Sequence, residues 1–204
     1  LLESRGLGDV YKRQDRDTLT RTVLRDTAIP AYSITPPDTL GYNPPKLFSF
    51  DPEQARALLA EAGYPDGQGW PGLEITYNTN EDHRKIAVAV QQMWKDELGI
   101  DVSITNQEWK VYLNTVSQGE FQVARRGWIG DYVDANNFLD LFLANGGNNN
   151  TGYANAEFDD IILNQAPKAA SREERYQLFF QAETKMMQEM PIIPFYTYTS
   201  KRLI

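Results

Sequence analysis

The chain contains no cysteine and a single histidine among its 204 residues. The first absence excludes disulfides, thiolate nucleophiles and cysteine-based metal sites, and the second excludes a histidine-rich metal centre. No apolar run reaches the roughly 18 residues that a membrane-crossing helix needs, and the N-terminal stretch is too polar for a secretory signal. Positive charge is scarce: 20 Lys and Arg against 28 Asp and Glu leave a formal charge of −8. A surface of that sign offers little to a phosphate backbone, which argues against a nucleic-acid partner. What is present is a globular composition, 41% hydrophobic and 12% aromatic, enough for one substantial core or two small ones.

Residues 1–14 (LLESRGLGDVYKRQ) follow neither helical nor strand periodicity. They read as a non-native leader, with native sequence starting near Asp15 partway through a longer protein. A short helix is expected through Leu19, Val23 and Leu24, and then Ile29 to Phe50 is too rich in proline and glycine for anything but a wrapping loop. Asp51 as N-cap, Pro52 at the first helical position, Gln54 and the stop at Gly63 predict a helix. Leu73, Ile75 and Tyr77 alternate as a strand, and Ile86, Val90, Trp94 and Leu98 then mark one helix face ending at Gly99. Ile100, Val102 and Ile104 form a second strand. A helix from Trp109 to Gln118 follows, with Trp109, Tyr112, Leu113 and Val116 on one side, and a third strand spans Phe121 to Trp128. Strand, helix, strand, helix, strand in this order makes an α/β fold with an open, largely parallel sheet.

Downstream, short helices are expected at Asn136 to Leu143 and Phe158 to Gln165. Ser171 with Glu174 opens a long helix whose Tyr176, Phe179, Phe180, Met186 and Met187 face a core, and Pro191 and Pro194 end it. The final run, Ile192 to Ile204, is β-like and reads as a strand whose partner is absent from the chain.

In a parallel sheet the loops leaving the carboxyl ends share one edge, where ligands bind. Three loops meet that description: Asn78 to His83, Asn106 to Trp109, and Gly127 to Tyr132. They place an imidazole, two indoles, an acid and nearby arginines at a candidate rim. Each residue also has a plainer reading. A lone histidine is ordinarily a surface or cap residue, and Asp131 suits a turn or an N-cap equally well. Trp109 and Trp128 are of a type more often found in cores than in pockets. Of Arg125 and Arg126, strand alternation lets only one face the ligand edge.

The segments DRDTL, PAYSITPP, LLAEAGYP, YNTNEDHRKIA, NQEWK, VARRGWIGDY and MPIIPFYTY resemble the oligopeptide-binding proteins of bacterial ABC importers, solute-binding protein family 5. The resemblance implies a periplasmic binding protein-like lobe, part of a two-lobed protein that closes over an extended peptide. It assigns residues 15–190 to the family's third domain and 191–204 to the return strand toward an absent first domain. Asp131 matches the family's partner for the peptide α-ammonium group, Arg125 and His83 match basic residues near the peptide carboxylate, and Trp109 and Trp128 match indoles lining side-chain pockets. Asn78 stands in the same rim motif as His83. Val116 departs from the family pattern, which has another arginine in the carboxylate region, and leaves the preferred peptide length open.

The function so implied is capture of short peptides for a membrane permease, in the periplasm or lipid-anchored outside the cell, by a protein that is monomeric when full length. No catalysis, cofactor or metal is expected. The alternatives are the same fold binding a dipeptide, murein peptide, opine or metal chelate, and a carbohydrate-active enzyme using Asp131 with Glu108 as a carboxylate pair.

Overall fold

β2 (Leu73–Asn78) is the centre of a three-stranded parallel sheet because both of its neighbours are reached by helical crossovers. The computed structural model describes residues 14–199. Within that span the chain divides into two compact units. The first runs to Pro30, resumes over Phe48–Arg126 and takes in the chain from Phe195; the second comprises Ala31–Leu47 and Gly127–Pro194.

The first unit holds the parallel sheet. β2 pairs with β3 (Val102–Gln107) from Leu73↔Val102 to Asn78↔Gln107, and with β4 (Val123–Ala124) at Ile75↔Val123 and Thr76↔Ala124. The strands are parallel and joined by helices as expected, and their order in the sheet is β3-β2-β4. Of the helices, α1 (Arg16–Thr18) continues through a wider turn over Leu19–Val23, and α2 (Pro52–Glu61) precedes the sheet. α3 (Glu81–Leu98) links β2 to β3 and packs on both, while α4 (Trp109–Ser117) links β3 to β4. Ile86, Val90, Trp94 and Leu98 of α3 are all buried, as their spacing requires. On α4 only half of the expected apolar face is covered. Tyr112 and Val116 are buried, whereas Trp109 and Leu113 are exposed.

The third strand is much shorter than Phe121 to Trp128. At its start the Gln122 side chain takes the place of a backbone partner, its Oε1 accepting from the Glu74 amide at 2.7 Å. At its end Arg125 N–H donates to Thr76 O at 2.9 Å, after which Gly127 carries the chain into the second unit.

Helix ends follow the expected chemistry. Asp51 Oδ1 accepts from Gln54 N at 2.9 Å and caps α2, a contact worth about 1 kcal/mol. Gly99 ends α3 in the left-handed region at φ 68°, where the backbone turn Pro65–Gly67 lies against it. A Cβ at Gly99 would come 2.4 Å from Asp66 O, whereas one at Gly63, also at positive φ, would meet nothing within 4 Å. Gly99→Ala therefore adds a backbone overlap to the left-handed penalty and should cost roughly 2–4 kcal/mol, against about 1 kcal/mol for Gly63→Ala. Urea unfolding of the two variants checks this, and equal falls in midpoint would refute the close approach.

β1 (Ala28–Pro30) and β5 (Tyr196–Tyr198) form an antiparallel pair in register Ala28↔Tyr198, Ile29↔Thr197 and Pro30↔Tyr196. The expected wrapping loop therefore begins after Pro30, and at Tyr196–Tyr198 the C-terminal run finds a partner inside the chain. Pro30 is tolerated because a two-stranded ribbon asks little of its missing N–H. Residues 1–13 of the expected leader, and the run from residue 200 onward, lie outside the described residues.

The second unit is helical. α5 (Asn136–Leu139) tightens into a 3₁₀ turn over Asp140–Phe142, and α6 (Ala156–Asp160) widens over Ile161–Gln165. The long helix α7 (Arg172–Glu189) closes the unit. Its N-terminus departs slightly from a capping box. Ser171 Oγ accepts from Glu174 N at 3.1 Å, but Glu174 returns its carboxylate to Ala170 N at 2.7 Å, one residue earlier than the motif implies. Phe179, Ala182, Met186 and Met187 are buried along one stripe. Phe180, expected in the core, lies about 100° further round the helix and is 46% exposed. Among the described residues no helix is long and apolar enough to cross a membrane.

Candidate functional site

The parallel sheet of the first unit ends its strands at Asn78, Gln107 and Ala124, so the residues that follow share its carboxyl edge. This edge gathers Asn78, His83, Trp109 and Arg125. Asn80 caps α3, its Oδ1 accepting from Asp82 N at 2.9 Å and His83 N at 3.1 Å, so the cap position belongs to Asn80 and leaves the imidazole for another use. His83 Nδ1 lies 2.9 Å from Asn78 Oδ1. A carboxamide oxygen only accepts, so Nδ1 carries the proton, and Nε2 accepts while the ring is neutral and donates once it is charged. Burial first, and then the Arg125 charge, hold the His83 pKa below the usual histidine value, against opposing effects of Asn78 and Asp82. Asn78 thus fixes the ring, while burial and then the Arg125 charge disfavour its protonation.

Arg125 is half-buried and is held from two directions. The buried Tyr112 hydroxyl donates to its backbone carbonyl, which ties α4 to the end of β4. Its Nη2 donates to the hydroxyls of Tyr196, at 3.1 Å, and Tyr198. Arg126, its neighbour, is exposed, as strand alternation implies. Trp109, at the first position of α4, is 52% exposed and stacks on Tyr112 with ring centres 6.2 Å apart. The core reading of Trp109 therefore does not hold.

Trp128 and Asp131 belong to the second unit, on the irregular segment that leads to α5. Trp128 is half-buried, and its Nε1 donates to Asn137 Oδ1 at 2.8 Å. Asp131 is exposed, and its backbone N–H donates to the same oxygen at 3.2 Å. Asp134, rather than Asp131, supplies the carboxylate at the start of α5, accepting from Asn136 N at 2.9 Å. The charge on Asp131 is felt nearby. Burial first, and then Asp131, raise the Asp140 carboxyl above its usual range. Glu108, the other carboxylate considered for a catalytic pair, caps α4 by accepting from Lys110 N at 2.9 Å.

Sequence reasoning missed Tyr112, Tyr196, Tyr198 and Asn137. The two tyrosines of β5 carried a signal, because residues two apart in a strand share a face. Tyr112 had been assigned to packing alone, and nothing local marks Asn137, whose partners are six and nine residues away.

A family model for "Bacterial extracellular solute-binding proteins, family 5 Middle" matches residues 14–150. The oligopeptide-binding protein OppA of Bacillus subtilis is 37% identical over 193 residues, covering 91% of this chain and 35% of that protein. The solved structure of the Escherichia coli murein tripeptide binding protein MppA superposes with a TM-score of 0.88 at 35% identity, covering 96% of this chain and 39% of that one. Haemophilus influenzae OppA, solved in complex with RPPGFSPFR, gives a TM-score of 0.86 at 33% identity over 96% of this chain and 40% of its own. The chain thus spans little more than a third of the length of the curated oligopeptide-binding relatives it matches. On the family match, which takes in more than half of its length, this chain belongs to the bacterial extracellular solute-binding proteins of family 5.

Proposed function

We propose that the chain is one lobe of a larger two-lobed extracytoplasmic protein that captures short peptides non-covalently and passes them to the permease of an ABC importer. Residues 15–190 form mainly the third domain, and 191–204 begin the return strand to the first. The observation that carries this reading is the half-buried Arg125 beside His83 at the carboxyl edge of a parallel sheet, where open α/β sheets take ligands. At that edge Arg125 and His83 receive the peptide carboxylate and Trp109 flanks a side chain; from the second unit, Trp128 flanks a side chain and Asp131 receives the α-ammonium group. The names of the relatives, which specify oligopeptides and a murein tripeptide, support a peptide ligand. No bond of the ligand has to break. Because Glu108 is occupied as a helix cap, a carboxylate pair with Asp131 is not favoured, and the protein is read as a binder rather than an enzyme. Incubation of the intact protein with mixed peptides and oligosaccharides, followed by mass spectrometry, tests this. Retained, unmodified peptide is expected, and cleaved ligand of either kind would overturn it.

His83 should make binding pH-dependent. In the free protein its pKa is held low, so as pH falls through the ordinary histidine range the folded state takes up this proton later than the unfolded chain does, and stability declines. A peptide carboxylate near Nε2 favours the charged ring, so binding and protonation support one another. Affinity for peptides whose carboxylate reaches His83 should rise as pH drops below the usual histidine value, by at most about tenfold per pH unit for a single proton. His83→Ala should flatten that slope and weaken only those peptide lengths. An unchanged pH slope in the variant, by calorimetric titration, would remove His83 from the carboxylate site.

A further inference from the structure

The segment Gly127 to Asp134 has no helix or strand of its own, yet it carries both Trp128 and Asp131. Its geometry is set from α5. Asn137, only 3% exposed, offers one carboxamide oxygen with two lone pairs, and both are engaged: one by the Trp128 indole N–H at 2.8 Å, the other by the Asp131 backbone N–H at 3.2 Å. Between the two donors, Gly130 lies flat on the helix, where a Cβ would meet Phe138 Cζ at 3.0 Å and Asn137 Oδ1 at 3.4 Å. Downstream the segment is pinned again, as Arg175 grips Asp134 through a two-point fork at 2.6 and 2.9 Å. That fork is itself steadied, with the Arg175 guanidinium 4.5 Å over the Phe179 ring.

We infer that Asn137 is a positioning residue for ligand recognition, whose single buried oxygen holds the Trp128 indole and the Asp131 backbone in one fixed relation. The inference rests on the proposed role of Asp131 toward the ligand ammonium group. A buried polar group with its hydrogen bonds satisfied orients what it touches, and this one touches both recognition residues of the second unit. If the oxygen is lost, two N–H donors lose their acceptor together. The segment then relaxes toward whichever arrangement rehydrates them, and the Asp131 carboxylate is carried away from its position. The Arg175–Asp134 fork cannot replace this contact, since it acts beyond Asp131 in the chain.

The test uses Asn137→Leu, with the same branching and number of side-chain heavy atoms but without an acceptor, and Asn137→Asp, which keeps an oxygen for both donors, each in the intact protein. The first readout is the ratio of affinities for a free-amine peptide and its N-acetylated form. The second is the NMR position of the Trp128 indole and Asp131 amide protons. Asn137→Leu should lower the ratio at least tenfold and shift both resonances, and Asn137→Asp should restore the ratio to within about threefold of wild type. If the leucine variant does not fold, Asn137→Ser, whose shorter hydroxyl reaches at most one donor, should show the same changes at smaller amplitude. Equal weakening of both peptides with an unchanged ratio would reduce Asn137 to a purely structural residue. Should the wild type fail to prefer the free amine, the Asp131 assignment falls, and the resonances still decide the matter: unmoved signals in the variants overturn the positioning role, and shifted ones sustain it.

Discussion

Replacing Asp131 by asparagine in the intact protein is expected to remove most of the affinity for peptides with a free α-ammonium group. In the present chain the carboxylate is exposed, so its charge is hydrated until a ligand covers it. Once water is excluded, an ammonium ion without its counter-charge loses solvation that nothing restores, and truncating one partner of such a pair typically costs about 3–5 kcal/mol. Asparagine preserves shape and part of the hydrogen bonding, so the loss reports charge rather than packing. Peptides acetylated at the N-terminus carry no charge there and should bind wild type and variant almost alike. An internal check accompanies the measurement. Since Asp131 contributes to the raised pKa of Asp140, the variant should let Asp140 ionise at lower pH. If Asp131→Asn held free-amine peptides within about twofold of wild type, about 0.4 kcal/mol, Asp131 would revert to a turn residue.

The second large effect is expected at Glu183, a residue with no proposed ligand contact. Its side chain is fully buried on α7 yet carries a carboxyl group. Ser33 Oγ and Thr35 N donate to Oε1 at 2.6 and 2.9 Å, and the buried Tyr42 hydroxyl donates to Oε2 at 2.8 Å. All three donors come from the proline-rich segment Ala31–Leu47, which has little regular structure to hold it. Glu183 is the bolt that fixes this segment to α7. Alanine would strand three donors in a dry interior, at roughly 1–3 kcal/mol each with partial relief, for a total near 3–5 kcal/mol. Glutamine keeps an acceptor for Ser33 and Thr35 and offers its amide to the Tyr42 oxygen, so it should cost less than about 1.5 kcal/mol. Denaturant unfolding separates the two, and comparable losses for both variants would sink the hydrogen-bond explanation.

The sign of the pH effect distinguishes Glu183 from an ordinary surface carboxylate. Burial, the dominant influence, raises its pKa, while the hydrogen bonds from Ser33, Thr35 and Tyr42 pull the other way. A carboxyl whose folded pKa is raised binds its proton more readily in the folded state than in the unfolded chain. Its contribution to stability is therefore fully present in acid and declines as pH rises above the usual carboxylate range. Glu183→Gln, neutral throughout, should lose that decline.

The amino-acid sequence by itself determined the secondary elements that rest on short-range chemistry and the family that the chain belongs to. Asp51, Pro52 and Gly63 bracket α2, Gly99 ends α3, and the alternation of Leu73, Ile75 and Tyr77 places β2, because caps, turns and periodicity act over a few residues. The parallel sheet followed from their order, and with it the shared edge that holds Asn78, His83, Trp109 and Arg125. What only the tertiary structure decided is where side chains find distant partners. Glu183 reads locally as one more polar residue on an amphipathic helix, and its meaning lies in Ser33 and Tyr42, 150 and 141 residues away. Trp109 and Phe180 carry the marks of core residues, yet among the described residues each is exposed. The third strand shrank to two residues because a Gln122 side chain replaced a backbone partner, a substitution invisible to periodicity. Arg125 gained its phenolic partners only when Tyr196 and Tyr198 returned to pair with Ala28–Pro30. Propensity and patterning are local sums, whereas burial and hydrogen-bond satisfaction depend on what the rest of the chain brings into contact.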